Sequence, residues 1–237
     1  MLMRFDVVTL FPEIVDYPLS FSIIGRARKK GLVEIGFVNP KEFAQDKHKT
    51  IDDKPYGGGS GMVLIAEFVL RAINKVRRKK SYTVLLTPRG RIFNQQIARE
   101  YSLKKHIILV CGHYEGIDDR ISYFVDDEIS IGDFVLSGGE IAAACIIDCV
   151  TRLVRGVIKD ESVNDESFSY GLLEYPQYTR PRVWRGIAVP KVLVSGDHRS
   201  IEIWRFRKAC QITQKRRPEL YQRYIQEKNF LKRGSDG

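Results

Sequence analysis

CGHYEGIDDR (residues 111–120) and SIGDFVLSGGE (130–140) decide the reading of this chain. They place Gly112, Gly116, Gly132, Gly138 and Gly139 among a few apolar and acidic residues, and each follows a stretch with strand character. Glycine at a strand end lets the backbone turn with positive φ and approach a ligand closely. Two such loops predict a binding site built largely from main chain. Aspartates and an apolar run in the second loop argue against a phosphate cradle, which favours helix N-termini and a lysine. The expected guest is planar, polar and not strongly anionic.

Upstream of these loops, YTVLLT (82–87) and HIILVC (106–111) are short, β-rich and mostly apolar, as buried parallel strands are. A helix is predicted between them over 94–101. RFDVVTLF (4–11) reads as a first strand stopped by Pro12, a helix follows over 20–30, and VEIGFV (33–38) reads as a second strand. Helical spacing recurs over 65–78 and 139–153. Strand–helix alternation of this kind predicts an α/β domain with a parallel sheet. The segment 46–61 is too glycine-rich for regular structure.

Beyond Arg155 the pattern changes. Residues 160–171 are acidic and aperiodic, as a linker is, and YPQYTRPRVWRG (175–186) is aromatic and basic, which predicts an extended docking surface. Two further helices are expected over 198–210 and 218–229. Residues 176–237 carry 15 Lys+Arg against 5 Asp+Glu, whereas residues 1–175 carry 24 of each, so the net charge of +10 lies wholly in the last quarter. That asymmetry points to a polyanion, with nucleic acid favoured over a merely solvated face. Trp204 and Tyr221 also serve as candidates for the core of the tail.

At 237 residues the chain is long enough for one or two buried cores, and 43% hydrophobic with 29% charged content is globular. It has no apolar run of spanning length and no signal-peptide pattern, so no membrane partner and a cytoplasmic location are expected. The four cysteines lack metal-ligand spacing, and Cys145 and Cys149 are expected to pack as small hydrophobes. GGGSG (57–61) lacks the G-K-[ST] ending of a phosphate loop, and neither a dinucleotide fingerprint nor a nucleophile elbow is present. His48, His106, His113 and His198 are scattered and form no metal motif.

MRFDVVTLFPE (3–13), DDKPYGGGSGM (52–62), TPRGR (87–91), the two glycine loops, ESFSYGLLEYPQYTRP (166–181) and RRPEL (216–220) resemble, in order and spacing, the bacterial tRNA (guanine-N1-)-methyltransferases. The resemblance covers nearly the whole chain. It implies a SPOUT-type α/β fold with a parallel sheet whose C-terminal part is threaded into a trefoil knot, followed by a small mainly helical domain. The implied organisation is a knotted cofactor domain over 1–159, a linker over 160–174 and an RNA-binding domain over 175–237. It further implies a homodimer with the active site at the subunit interface, where apolar Ala142, Ala143, Ala144 and Ile146 are candidates to line the contact, although core burial is the commoner fate.

The implied methyl donor is S-adenosylmethionine, held by three loops. On this chain they comprise Leu86, Thr87 and Pro88; Gly112, Tyr114, Glu115 and Gly116; and Ile131, Gly132, Asp133, Phe134, Val135, Leu136, Gly138 and Gly139. Backbone groups suit the adenine edge, and Ile131, Val135 and Leu136 suit its faces. Phe134 stands where the family often has tyrosine. Asp133 and Glu115 are candidates to orient the donor's amino group or a metal, the family being associated with a Mg²⁺ requirement. The implied substrate is the guanine immediately 3′ of a tRNA anticodon when another guanine precedes it, with methylation supporting reading-frame maintenance. Guanine N1 must lose a proton to attack, which requires a base. Glu166 occupies the family's aspartate position by register, with Asp165 as substitute, in a linker one residue shorter. Arg152 matches an arginine that stabilises charge on guanine O6, though the dipole of its own helix also accounts for an arginine there. Tyr175, Tyr178, Trp184, Arg180, Arg182 and Arg185 suit base stacking and phosphate contacts. A knotted ribose methyltransferase and a non-catalytic RNA-binding protein are the alternatives.

Overall fold

In a computed structural model, residues 2–158, 167–168 and 171–234 are described, with side chains up to residue 229. Asp165 and Glu166 lie outside the described residues. The chain divides into two compact units, Met1–Ile158 and Lys159–Gly237.

The first unit is built on five strands, β1 (Met3–Val8), β2 (Val33–Val38), β5 (Ser81–Ile92), β6 (His106–Cys111) and β7 (Asp127–Ser130), in the order β2-β1-β6-β5-β7 with every neighbouring pair parallel. Residues of period 2 separate to opposite faces. Phe5, Val7, Ile107, Leu109 and Val84 pack in one apolar cluster, and Val8, Ile108, Val110 and Leu85 in another. Central β6 is buried at all six positions. Near-continuous apolar runs such as HIILVC therefore reflect helices covering both sides of the sheet. The first cluster takes in α1 (Pro12–Leu19), α2 (Ser22–Lys29), α4 (Gln95–Ser102) and α5 (Glu140–Arg152), whose Val15, Ile24, Ile97 and Ile146 join it. The second face is covered by α3 (Ala66–Val76) through Val69 and Ile73, together with the 3₁₀ turn Asp119–Phe124 through Ile121.

Several readings of the sequence change. Pro12 does not merely stop the first strand: it starts α1 at N1, where its missing N–H costs nothing. Strand β5 runs on through TPRGR, leaving the pairing with β7 after Leu86 and resuming it at Arg91. Gly90 permits that return, because a Cβ there would lie 2.4 Å from the β7 backbone. The glycine-rich segment is bracketed by a minimal antiparallel pair, β3 (Asp52–Asp53) with β4 (Val63–Leu64). Ala142, Ala143 and Ile146 are buried in the core of their own chain, at 7%, 0% and 0% exposure, whereas Ala144 is half-buried. All four cysteines are free, and exposed Cys145 does not pack as expected.

The second unit contains a two-residue hairpin, β8 (Val183–Trp184) with β9 (Ile187–Ala188), a 3₁₀ turn (Lys191–Val194), and helices α6 (His198–Arg216) and α7 (Pro218–Gly234). Arg185 and Gly186 both have positive φ, as a type I′ hairpin turn requires. Asp197 caps α6 by accepting from the Ser200 amide at 3.1 Å. Thr213 on α6 accepts from the Leu173 amide at 2.8 Å, tying the irregular segment before the hairpin to the helix. Trp204 and Tyr221 are both half-buried. Among the described residues no helix is long and apolar enough to cross a membrane.

Candidate functional site

The excursion in β5 and the carboxyl ends of β6 and β7 open into one cavity of about 600 Å³, the usual ligand position in an open parallel sheet. Leu86, Thr87 and Pro88 line it from the excursion in β5, and Gly112, Tyr114, Glu115 and Gly116 from the loop after β6. Ile131, Gly132, Phe134, Val135, Leu136, Gly138 and Gly139 line it from the loop after β7. Asp133 is exposed and is not among the lining residues. The apolar residues of the third loop stay open to solvent, with Phe134 54% and Val135 89% exposed. Such side chains are available to cover the faces of a planar guest.

Close backbone packing shapes the cavity floor. The Gly139 amide donates to the Gly112 carbonyl at 2.9 Å, and a Cβ on Gly139 would lie 2.8 Å from Cys111 Cα. The third loop is thereby clamped onto the second. Beneath the clamp lies Glu140, 2% exposed, whose carboxylate accepts from the Thr9 hydroxyl at 2.7 Å. Thr9 Oγ1 in turn accepts from the Phe11 amide at 2.9 Å. This chain of bonds joins the end of β1 to the first residue of α5. Its members escaped sequence reasoning; a single acid opening the otherwise apolar run EIAAACII was the available signal.

His113 was also missed. Its ring lines the cavity, packs 4.9 Å from the Phe11 ring, and carries a buried Nδ1 with no hydrogen-bond partner among the described residues. An unmet buried nitrogen in a cavity wall invites a polar ligand group. Burial, and next the charge of Glu140, push the Cys111 thiol well above its ordinary range, so it is a packed apolar group and no nucleophile. Val63 of β4 adds to the wall, and the chain beside it is held to the second loop: the Leu64 amide donates to the Gly116 carbonyl at 3.0 Å, and the Glu115 amide to the Met62 carbonyl at 3.1 Å.

The rim is not a phosphate site. Arg89 is engaged by Asp119 at 2.5 Å and Arg120 by Asp118 at 2.5 Å, while Glu115 is exposed at the mouth. The hydrogen bond from Arg120 holds the Asp118 carboxyl below its ordinary value. Acids facing a partly apolar cavity suit a guest bearing positive charge. The volume, the glycine-lined floor and the orphan His113 nitrogen fit S-adenosylmethionine. Among the described residues no three His, Cys, Asp or Glu side chains converge as a metal site.

Arg152 stands elsewhere. It ends α5, whose first residue lies under the cavity, so it is about 18 Å further along the helix at 1.5 Å per residue. Its charge opposes the burial that raises the Asp148 carboxyl one turn earlier. Within one chain it does not join the cavity.

The sequence profile described as tRNA (Guanine-1)-methyltransferase TrmD matches residues 3–223. A curated tRNA (guanine-N(1)-)-methyltransferase of Carboxydothermus hydrogenoformans is 52% identical over 220 residues, covering 92% of this chain and 87% of that protein. One of Dictyoglomus turgidum is 49% identical over 223 residues, covering 94% and 91%. Another, of Ruminiclostridium cellulolyticum, is 48% identical over 234 residues, covering 97% and 100%. Matches of this length take in the strand-end loops and the basic helices alike, and the chain belongs to the tRNA (guanine-1)-methyltransferase TrmD family.

Proposed function

We propose that this protein transfers a methyl group from S-adenosylmethionine to N1 of the guanine immediately 3′ of the anticodon in tRNAs where another guanine precedes it, an activity that supports reading-frame maintenance. The observation that carries the reading is the convergence of three separate loops, at 86–88, 112–116 and 131–139, on one cavity at the strand ends. The sulfonium supplies an electrophilic methyl carbon. Backbone groups of the three loops read the adenine edge, His113 Nδ1 offers a further polar contact, and Phe134, Val135 and Leu136 exclude water. Glu115 balances positive charge at the mouth.

Glu166, or Asp165 if the register shifts by one, accepts the N1 proton. Arg152 stabilises the charge that gathers on O6 as N1 is deprotonated. Its distance from the cavity in one chain supports a homodimer in which the arginine and linker of one protomer complete the cavity of the other. Exposed apolar groups on α1, on the turn that follows it and on neighbouring α5 offer a contact face: Ile14 is 43%, Tyr17 71%, Phe21 55% and Ile141 46% exposed. In this reading residues 1–159 form a knotted cofactor domain, 160–174 a linker and 175–237 the tRNA-binding domain. The return of β5 to β7 and the clamp of Gly139 on Gly112 are the close chain approaches that a knot in this region requires.

Incubation with methyl-labelled S-adenosylmethionine and a tRNA carrying the two-guanine sequence, followed by nuclease mapping, tests this. Label on N1 of the second guanine is expected. Label on a ribose oxygen indicates the related ribose chemistry, and no incorporation removes the proposal.

A further inference from the structure

The second unit has a cavity of its own, about 510 Å³, within the range of about 300–1,000 Å³ that accepts a small organic ligand. Three guanidinium groups line it, Arg180, Arg182 and Arg205, and no aspartate or glutamate does. Arg180 and Arg182 are exposed, and neither side chain has a hydrogen-bond or ion-pair partner among the described residues. Arg205 differs. Its guanidinium lies 4.9 Å from the Tyr175 ring centroid, and its buried Nε has no acceptor. A donor withdrawn from water without a partner is costly, and a phosphate oxygen is the acceptor that planar guanidinium groups match best.

The aromatic walls narrow the ligand further. Tyr175 and Tyr178 line the same cavity, and Tyr178 is 48% exposed with its ring 6.3 Å from that of Trp204. A bare anion needs no such rings, whereas an unstacked nucleobase does. Trp184 and Arg185, by contrast, pair with one another on the hairpin, 5.0 Å apart, and are not among the lining residues.

We infer that this cavity holds one unstacked nucleotide of the bound RNA other than the methylated guanine, its base against Tyr178 and its phosphate on Arg180, Arg182 and Arg205. The inference rests on RNA being the protein's partner, and it divides the basic unit into a nucleotide pocket and an outer hairpin. Phosphate chemistry alone is shared by free phosphate and RNA.

Full-length protein with Arg180→Gln and Arg182→Gln together is the first test, since these exposed side chains have no hydrogen-bond or ion-pair partner to lose among the described residues. The KM for tRNA should rise about tenfold, with kcat within twofold and S-adenosylmethionine affinity unchanged. The slope of log affinity against log salt should become shallower by about one to two. Tyr178→Ala and Arg205→Lys provide a second pair. Photo-crosslinking of thiouridine-substituted tRNA, read by peptide mapping without methyl transfer, should label residues 175–182 in the native protein and lose that label in Tyr178→Ala. Inorganic phosphate should bind weakly at most and leave the crosslink in place, whereas a short single-stranded RNA should compete with it.

A fall in kcat at constant KM would assign the cavity to the reacting base and overturn the inference. So would an unchanged KM and slope, a crosslink confined to other segments, or full displacement by free phosphate or an acidic peptide. A crosslink at 175–182 in a protein that transfers no methyl group leaves this site standing and removes only the proposed activity.

Discussion

Thr9 and Glu140 are 131 residues apart in sequence yet share a 2.7 Å hydrogen bond beneath the loops that line the cavity. Replacing Thr9 by valine keeps the shape and removes the donor, leaving a buried carboxylate oxygen unmet. The expected cost is about 1.5–3 kcal/mol, read as a lower urea midpoint at unchanged slope, and Thr9→Ser should recover most of it. Gly139 acts through space and not through torsion. Its added methyl would meet the Cys111 Cα at 2.8 Å, backbone that cannot swing aside, so Gly139→Ala should weaken S-adenosylmethionine binding at least about tenfold, or 1.4 kcal/mol. The glycines themselves were legible because the residue type is rare at strand ends without reason. Their buried supporters were not, because a hydrogen bond between the end of β1 and the start of α5 leaves no local trace in sequence.

Among the elements, the parallel strands were legible wherever burial on both faces made them uniformly apolar, as in HIILVC. Boundaries set by tertiary packing were not. Helix α1 was hidden by a proline read as a stop, and the β8–β9 hairpin by Arg185, a non-glycine residue at φ 49°. The amino ends of the strands carry a buried polar cluster that sequence alone could not assemble. Asp6 Oδ2 is 2.8 Å from His106 Nε2 and 2.7 Å from Arg4 Nε, and the Ser81 hydroxyl meets His106 Nδ1 at 2.7 Å. Burial pushes the Asp6 carboxyl up, but hydrogen bonds from His106 and Arg4 outweigh it and hold the group below its ordinary value. A carboxyl depressed on folding contributes stability that is complete above the ordinary range, near about 4, and is lost as pH falls through the folded value. Asp6→Asn should therefore cost about 3 kcal/mol in urea unfolding at pH 7, with the deficit shrinking below pH 4.

For the molecule as a whole, the decisive property is the division of labour between the cavity of the first unit and the basic stretch 176–237, which carries the whole net charge of +10 while residues 1–175 balance to zero. Phosphate contacts release counterions, so tRNA affinity should fall steeply with salt, by about 10³-fold or more between 50 and 200 mM if six phosphates are engaged. S-adenosylmethionine binding should be nearly flat over the same range. Sequence disclosed this division through composition, but it could not show that Arg152 lies far along α5 from the cavity of its own chain. That placement calls for complementation: a Glu166→Gln chain and a Gly139→Ala chain, each impaired alone when the donor is kept well below the weakened affinity of the second, should regain up to about a quarter of native activity when mixed, the share set by random pairing of two chains in a dimer. No recovery in verified heterodimers would remove the shared site. The most direct measurement of the central claim is calorimetric titration of S-adenosylmethionine into the native protein and into Gly139→Ala. One site per chain in the native protein, lost or at least tenfold weaker in the variant, is the predicted result. No heat of binding in a folded native protein, or equal affinity in both, would contradict the assignment of the strand-end cavity to the methyl donor.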